Sequence, residues 1–169
     1  MSRLFPRGNP GDYQGYIYGL VRKFKPLKCI EIGLHIGNST EAIVRALIKN
    51  GKGSLISIDN LPCPEGHERV NRLRGVSAIW QVTNESSGGA FSDELVAGTD
   101  FLYIDGDHSE SAVQWDWDHY GVASKVVLFD DYHAVGPQGV VDRLWSSGIY
   151  VVELHEYDWG HMQALVRRR

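Results

Sequence analysis

Two stretches of this sequence concentrate groups capable of chemistry. FLYIDGDHS, residues 101–109, reads as a buried strand that stops in Asp105, Asp107 and His108. KVVLFDDYH, residues 125–133, repeats the arrangement with Asp130, Asp131 and His133. Carboxylates crowded at the ends of core strands repel one another unless a cation, a proton or a substrate sits between them. A third stretch, EIGLHIGNST at 31–40, joins a strand to a helix start through Gly33 and Gly37. Two glycines so placed let the backbone turn tightly and approach a ligand closely. The spacing is not GxGxxG, and no lysine follows as in a P-loop, which speaks against a dinucleotide or a nucleoside triphosphate. Glu31, embedded in the strand, would repel phosphate and would suit a ligand bearing an amino group. Asp59, at the end of SLISID, is placed to accept hydrogen bonds from ribose hydroxyls.

Something must hold these groups along one edge, and the sequence pattern supplies it. Residues 11–24 look helical, with Tyr13, Ile17, Leu20, Val21 and Phe24 on one face and Pro26 as the terminator. Buried strands are expected at 27–33, 54–59, 78–83, 100–105 and 125–131. Helices alternate with them. One is capped by Asn38, Ser39 and Thr40 and stopped by Gly51; others cover 65–73, a short stretch after Ser92, 109–123 and 139–145. A hairpin around Asp158, Trp159 and Gly160 closes the chain, with strands at 149–157 and 161–168. This alternation implies an α/β fold: a Rossmann-like, doubly wound sheet of seven strands, mostly parallel, with a C-terminal antiparallel hairpin strand. Ligands bind such sheets at the carboxyl ends of the strands, where nearly all of the unusual polar residues fall.

At 169 residues the chain is expected to form a single domain, with an N-terminal helical segment at 1–26 and a core at 27–169. Its net charge of −4 leaves no general basic face for nucleic acid, and Arg167, Arg168 and Arg169 read as a solvated tail. No apolar run approaches a membrane span, and the first residues lack a signal-peptide core, so neither membrane nor secretion is expected. Cys29 and Cys63, without a CxxC, fit reduced thiols in the cytoplasm.

EIGLHIGNST, LISIDN, FLYIDGDHSESAVQWDWD, VVLFDDYH and GVVDRLW occur in that order between about residues 28 and 146. In this the chain resembles the class I S-adenosylmethionine-dependent methyltransferases. It is most similar to the small O-methyltransferases that include macrolide-sugar and aminocoumarin-sugar methylating enzymes and the cephalosporin hydroxylase-like proteins. The resemblance implies a cofactor loop of Glu31, Gly33 and Gly37 with Ser39 at the helix start, and Asp59 on the ribose. It implies Asn84 and Ser86 near the adenine and Asp105 beside the cofactor. It also implies that Asp105, Asp130 and Asp131 bind a divalent cation, magnesium or manganese, that Asp107 is a general base, and that His108 stands beside it. Three carboxylates would make a hard oxygen site for such an ion. The acceptor would be a small-molecule hydroxyl on a sugar, polyol or phenol. Larger relatives cover the acceptor with added segments, so the pocket here is expected to be shallow or completed by a second subunit in a homo-oligomer.

Rival readings accompany these expectations. Asp107 could cap the helix after Ser109, Asp130 and Asp131 could organise a loop, and His35, His108 and His133 have no settled role. His119, His155 and His161 look structural or superficial, and Trp115 and Trp117 look like packing residues. FLYIDGDHS also fits the DxDxS motif of haloacid-dehalogenase-like phosphatases. Asp131 follows Asp107 by 24 positions, too few for the intervening motifs of that fold. A non-catalytic S-adenosylmethionine-binding protein is the remaining alternative.

Overall fold

The computed structural model describes residues 13–169. The start of the N-terminal segment, at 1–12, lies outside them. The elements are α1 (Tyr13–Phe24), β1 (Lys28–Ile32), α2 (Asn38–Asn50), β2 (Ser54–Ile58), α3 (Pro64–Asn71) and β3 (Trp80–Thr83). They continue with α4 (Ser87–Ala90), α5 (Asp93–Val96), β4 (Phe101–Ile104), α6 (Glu110–Asp116), β5 (Val126–Phe129), α7 (Val135–Ser146), β6 (Tyr150–Glu156) and β7 (Met162–Arg168). The seven strands form one sheet in the order β3-β2-β1-β4-β5-β7-β6. β1 to β5 run parallel, and β7 inserts antiparallel between β5 and β6.

Residues alternate between the two faces of each strand, so each face has its own core. Cys29, Leu55, Phe101, Tyr103 and Leu128 pack under α1 and α2. Ile30, Ile32, Leu102, Ile104, Val127 and Phe129 pack with Val113, Trp117 and Val140 from the helices of the other face. The apolar stripe expected on α1 is the buried one, with Ile17, Leu20 and Val21 inside. Strand order reverses between β1 and β4, and this switch point sets where the loops splay apart.

Three local expectations are corrected. Asn38, Ser39 and Thr40 do not cap α2. Its N-cap is Gly37, with no side-chain hydrogen bond, because Ser39 and Thr40 are buried and turned inward instead. α7 begins at Val135, earlier than expected, because Pro137 falls in the first helical turn, where a missing N–H breaks no helix bond. The helix capped by Ser109 does not run on as regular α-helix. It widens over 117–121 into a π turn in which the Val122 N–H reaches the Trp117 carbonyl at 2.9 Å.

Candidate active site

The carboxyl ends of β1, β2 and β4 surround a cavity of about 600 Å³. Gly33, Asp59, Asp105, Asp107 and His108 line it, together with Cys63, Ser86 and Asp116. The loops are shaped by close backbone approach. Gly33 has φ +97°, and a Cβ there would lie 2.1 Å from the carbonyl oxygen of Asp105. Gly37 has φ +76° and packs on Gly66, which a Cβ would meet at 3.0 Å. His35, at φ 45°, takes the left-handed conformation between them.

Asp59 ties this loop to β2. Its Oδ2 accepts hydrogen bonds from the Leu34 and His35 N–H groups at 2.8 and 3.1 Å, and its Oδ1 accepts from Leu61 N–H at 2.8 Å. Burial opposes the charge, but these backbone donors outweigh it and hold the carboxyl below its ordinary range. The Cys63 thiol is a further hydrogen-bond partner of Asp59, and both residues line the cavity.

Glu31 lies fully buried and does not line the cavity. Its Oε2 accepts from Thr40 Oγ1 at 2.7 Å and from Ser57 Oγ at 2.5 Å, and Ser57 in turn accepts from the Trp80 indole at 3.0 Å. Oε1 has no partner. Burial pushes the carboxyl up from 4.5 to about 7, against the pull of the Ser39, Ser57 and Thr40 hydroxyls. A raised folded pKa gives stability that is present below the unfolded value and lost as pH rises through about 7. Glu31→Gln should therefore flatten the fall in stability between about pH 4.5 and 7, a difference of about 3 kcal/mol. Denaturant unfolding of both proteins across that range reads it, and parallel curves would refute the assignment.

Asp105 and Asp130 continue β4 and β5, and the Asp130 N–H reaches the Ile104 carbonyl at 2.9 Å. Burial first, then Asp130 and Asp131 nearby, push Asp105 up to about 6, against the pull of His108. The His108 ring stands between two carboxylates, with Nε2 at 3.5 Å from Asp105 Oδ1 and Nδ1 at 3.6 Å from Asp131 Oδ2. Asp105 foremost raises the His108 pKa above its ordinary value, with Asp131 helping against partial burial. Asp107 is exposed, and its Oδ1 accepts the Ser109 N–H at 2.7 Å. That bond holds its pKa below the ordinary range, which makes it a weak base.

Asp130 does not gather with Asp105 and Asp131. Its buried Oδ1 accepts from Gln163 Nε2 at 2.6 Å and from His161 Nε2 at 2.9 Å. Among the described residues, the donor atoms that converge within 4.8 Å are those of Asp105, His108 and Asp131, and those of Asp131, His133 and His161. This donor set fits a divalent ion, with imidazole nitrogens beside carboxylate oxygens. Gly37, Ser39 and the exposed Asn84 stand outside the cavity lining, where Glu85, Ser86 and Ser87 represent the loop after β3. Sequence reasoning passed over Asp116 and His161. Asp116 is 2% exposed and reaches the cavity, and among the described residues its Oδ1 has no hydrogen-bond partner; burial pushes it up to about 6.

A switch-point cavity at the carboxyl edge of a 3-2-1-4-5-7-6 sheet defines a class I methyltransferase architecture. The profile of the family described as "Methyltransferase domain" matches residues 30–132, and the chain belongs to that family. Among solved structures it is similar to an O-methyltransferase from Bacillus cereus in complex with SAH, at 15% identity and TM-score 0.72, covering 98% of this chain and 84% of that one. It is similar to the O-methyltransferase TomG from Streptomyces achromogenes, in complex with SAM, at 18% identity and TM-score 0.71, covering 92% and 78%. The SAH-bound methyltransferase PaMTH1 from Podospora anserina is similar at 16% identity and TM-score 0.65, covering 92% and 77%. At such identities the likeness shows the fold. No curated protein sequence matches significantly. Among the described residues no helix is long and apolar enough to cross a membrane.

Proposed function

We propose that this protein transfers a methyl group from S-adenosylmethionine to a hydroxyl of a small molecule, a sugar, polyol or phenol. The observation that carries the reading is the single cavity wall shared by the Gly33 turn, Asp59 and the Asp105–His108 pair. S-adenosylmethionine supplies the methyl as an electrophilic sulfonium, so the chain's task is mainly positioning and proton removal. The Gly33 turn admits the cofactor's amino-acid end, and Asp59 accepts ribose hydroxyls. Ser86 and Ser87 face the adenine side. Glu31, buried behind the loop, holds α2 against β1 and β2 rather than touching the ligand.

His108 takes the acceptor's proton, flanked by the carboxylates of Asp105 and Asp131, which stabilise the imidazolium that forms. Asp107 fixes the turn that presents His108, through its bond to the Ser109 N–H. Asp131, with the imidazoles beside it, supplies donors for a divalent ion, whose chemistry there would be to polarise the acceptor oxygen. The similarity of the fold to enzymes solved with SAM and SAH supports the cofactor. The haloacid-dehalogenase alternative is not retained, because Asp105 and Asp107 follow the fourth strand of a methyltransferase-family sheet.

Asp59→Ala should raise the KM for S-adenosylmethionine by about 10–100-fold, as roughly 1–3 kcal/mol of buried hydrogen bonding is lost. Transfer of labelled methyl groups to a panel of sugars, polyols and phenols reads this. An unchanged KM, or no transfer to any hydroxyl acceptor by the parent protein, would remove the proposal.

A further inference from the structure

The hairpin strand β7 brings to this edge a side chain that the parallel strands do not provide. His161, just before β7, is 6% exposed and has a carboxylate at each ring nitrogen. Nε2 lies 2.9 Å from Asp130 Oδ1, and Nδ1 lies 3.0 Å from Asp131 Oδ1. His133 Nε2 approaches the same Asp131 Oδ1 at 3.7 Å. Ligand atoms about 2.0–2.1 Å from a tetrahedral or octahedral ion lie about 2.8–3.4 Å apart; the His161 spacing of 3.0 Å is within that range and the His133 spacing of 3.7 Å lies just outside it.

The surroundings resemble the support that metal-bound histidines receive. A ligating imidazole commonly gives its second N–H to a carboxylate, which fixes its orientation and tautomer. Asp130 stands in that position toward His161. Asp130 is itself fixed by Gln163 Nε2 at 2.6 Å, and Gln163 is fixed by the Tyr157 hydroxyl, which donates to its Oε1 at 2.8 Å. Trp159 stacks on the His161 ring at 4.6 Å and 7°, covering one face. Asp131 holds a left-handed backbone conformation at φ 45°, uncommon for a residue other than glycine. Its two oxygens are divided, with Oδ2 toward His108 and Oδ1 toward His133 and His161.

We infer that Asp131, His133 and His161 hold a divalent transition ion through one carboxylate and two imidazoles, with Asp130 orienting His161 from behind. The ligand set selects a borderline ion such as zinc, cobalt(II) or iron(II) over magnesium, which prefers oxygen. Three protein ligands leave coordination positions for water or another ligand. The inference reverses the role expected for Asp130 from sequence, and it does not depend on methyl transfer.

The test is titration of the full chain with cobalt(II) in the absence of any cofactor, read by visible absorption and by calorimetry. The expected result is saturation near about one equivalent with Kd in the micromolar range or below, competed by zinc and unaffected by millimolar magnesium. His133 is half-exposed, so His133→Ala leaves the fold intact while weakening binding by about tenfold or more; Asp130→Asn weakens it by about 10–100-fold. Asp105→Asn leaves it within about twofold, because Asp105 belongs to the other donor group. Absence of cobalt binding at millimolar concentration would overturn the inference. So would wild-type affinity in His133→Ala, or loss of affinity in Asp105→Asn alone. Such failures leave the cofactor reading untouched, since that is read by a separate titration without metal.

Discussion

Gly33→Ala is expected to destabilise the protein by about 4 kcal/mol or more, the range reserved for changes that force backbone to move. Two effects combine. At φ +97° an L-residue is strained wherever it stands. In addition, the new Cβ would sit 2.1 Å from the Asp105 carbonyl oxygen, and backbone cannot yield as a flexible side chain does. Relief requires β1 and β4 to part at their carboxyl ends. That would break the hydrogen bond from Asp105 N–H to the Ile32 carbonyl, now 2.8 Å. Chemical denaturation reads the loss directly. Gly51→Ala serves as the comparison, because Gly51 also has positive φ but a Cβ there meets none of the described residues within 4 Å. Equal losses at the two positions would show that conformation alone matters, and would remove the argument that the loop is built on close approach.

His108→Gln should lower turnover by about 10²–10⁴-fold, the usual contribution of a positioned base. Affinity for S-adenosylhomocysteine should stay within a few-fold. The contrast with Asp107→Asn is the informative part. Asp107 is exposed, is tied to the Ser109 N–H, and has its pKa lowered, so its variant should lose much less. Because the His108 pKa is raised, kcat/KM of the parent protein should climb with pH on a limb whose midpoint lies above 6.5, and His108→Gln should abolish that limb. If Asp107→Asn proves the more damaging variant, or the limb survives in His108→Gln, the proton acceptor has been misassigned.

The parallel part of the sheet was legible because apolar runs alternate with capped amphipathic segments, as at KCIEI before Gly33 and FLYI before Asp105. Asp59, Asp105 and His108 could be placed at one edge for the same reason: a residue that ends a parallel strand must lie at the carboxyl edge. The pairing of Asp130 with His161 and Gln163 was not legible. It depends on which residue of the antiparallel β7 stands beside the end of β5, and the Phe129–Ala164 register is set by packing across the sheet. A usable signal was present: a histidine and a glutamine at the start of a returning strand arrive where a parallel neighbour ends. The inward turn of Ser39 and Thr40 was hidden for a related reason. Their spacing suits a helix cap, and only the buried Glu31 opposite makes the interior the better partner. The π turn at 117–121 had no signal that local propensity could carry.

On the proposed reading, the cavity between β1, β2 and β4 is a cofactor site for methyl transfer. Calorimetric titration of the full chain with S-adenosylhomocysteine tests it most directly, since it requires neither an acceptor nor a metal. Saturable binding at about one equivalent with Kd in the micromolar range is expected, weakened by about 10–100-fold in Asp59→Ala. Absence of binding by the folded parent protein at millimolar ligand, or equal affinity in Asp59→Ala, would contradict it.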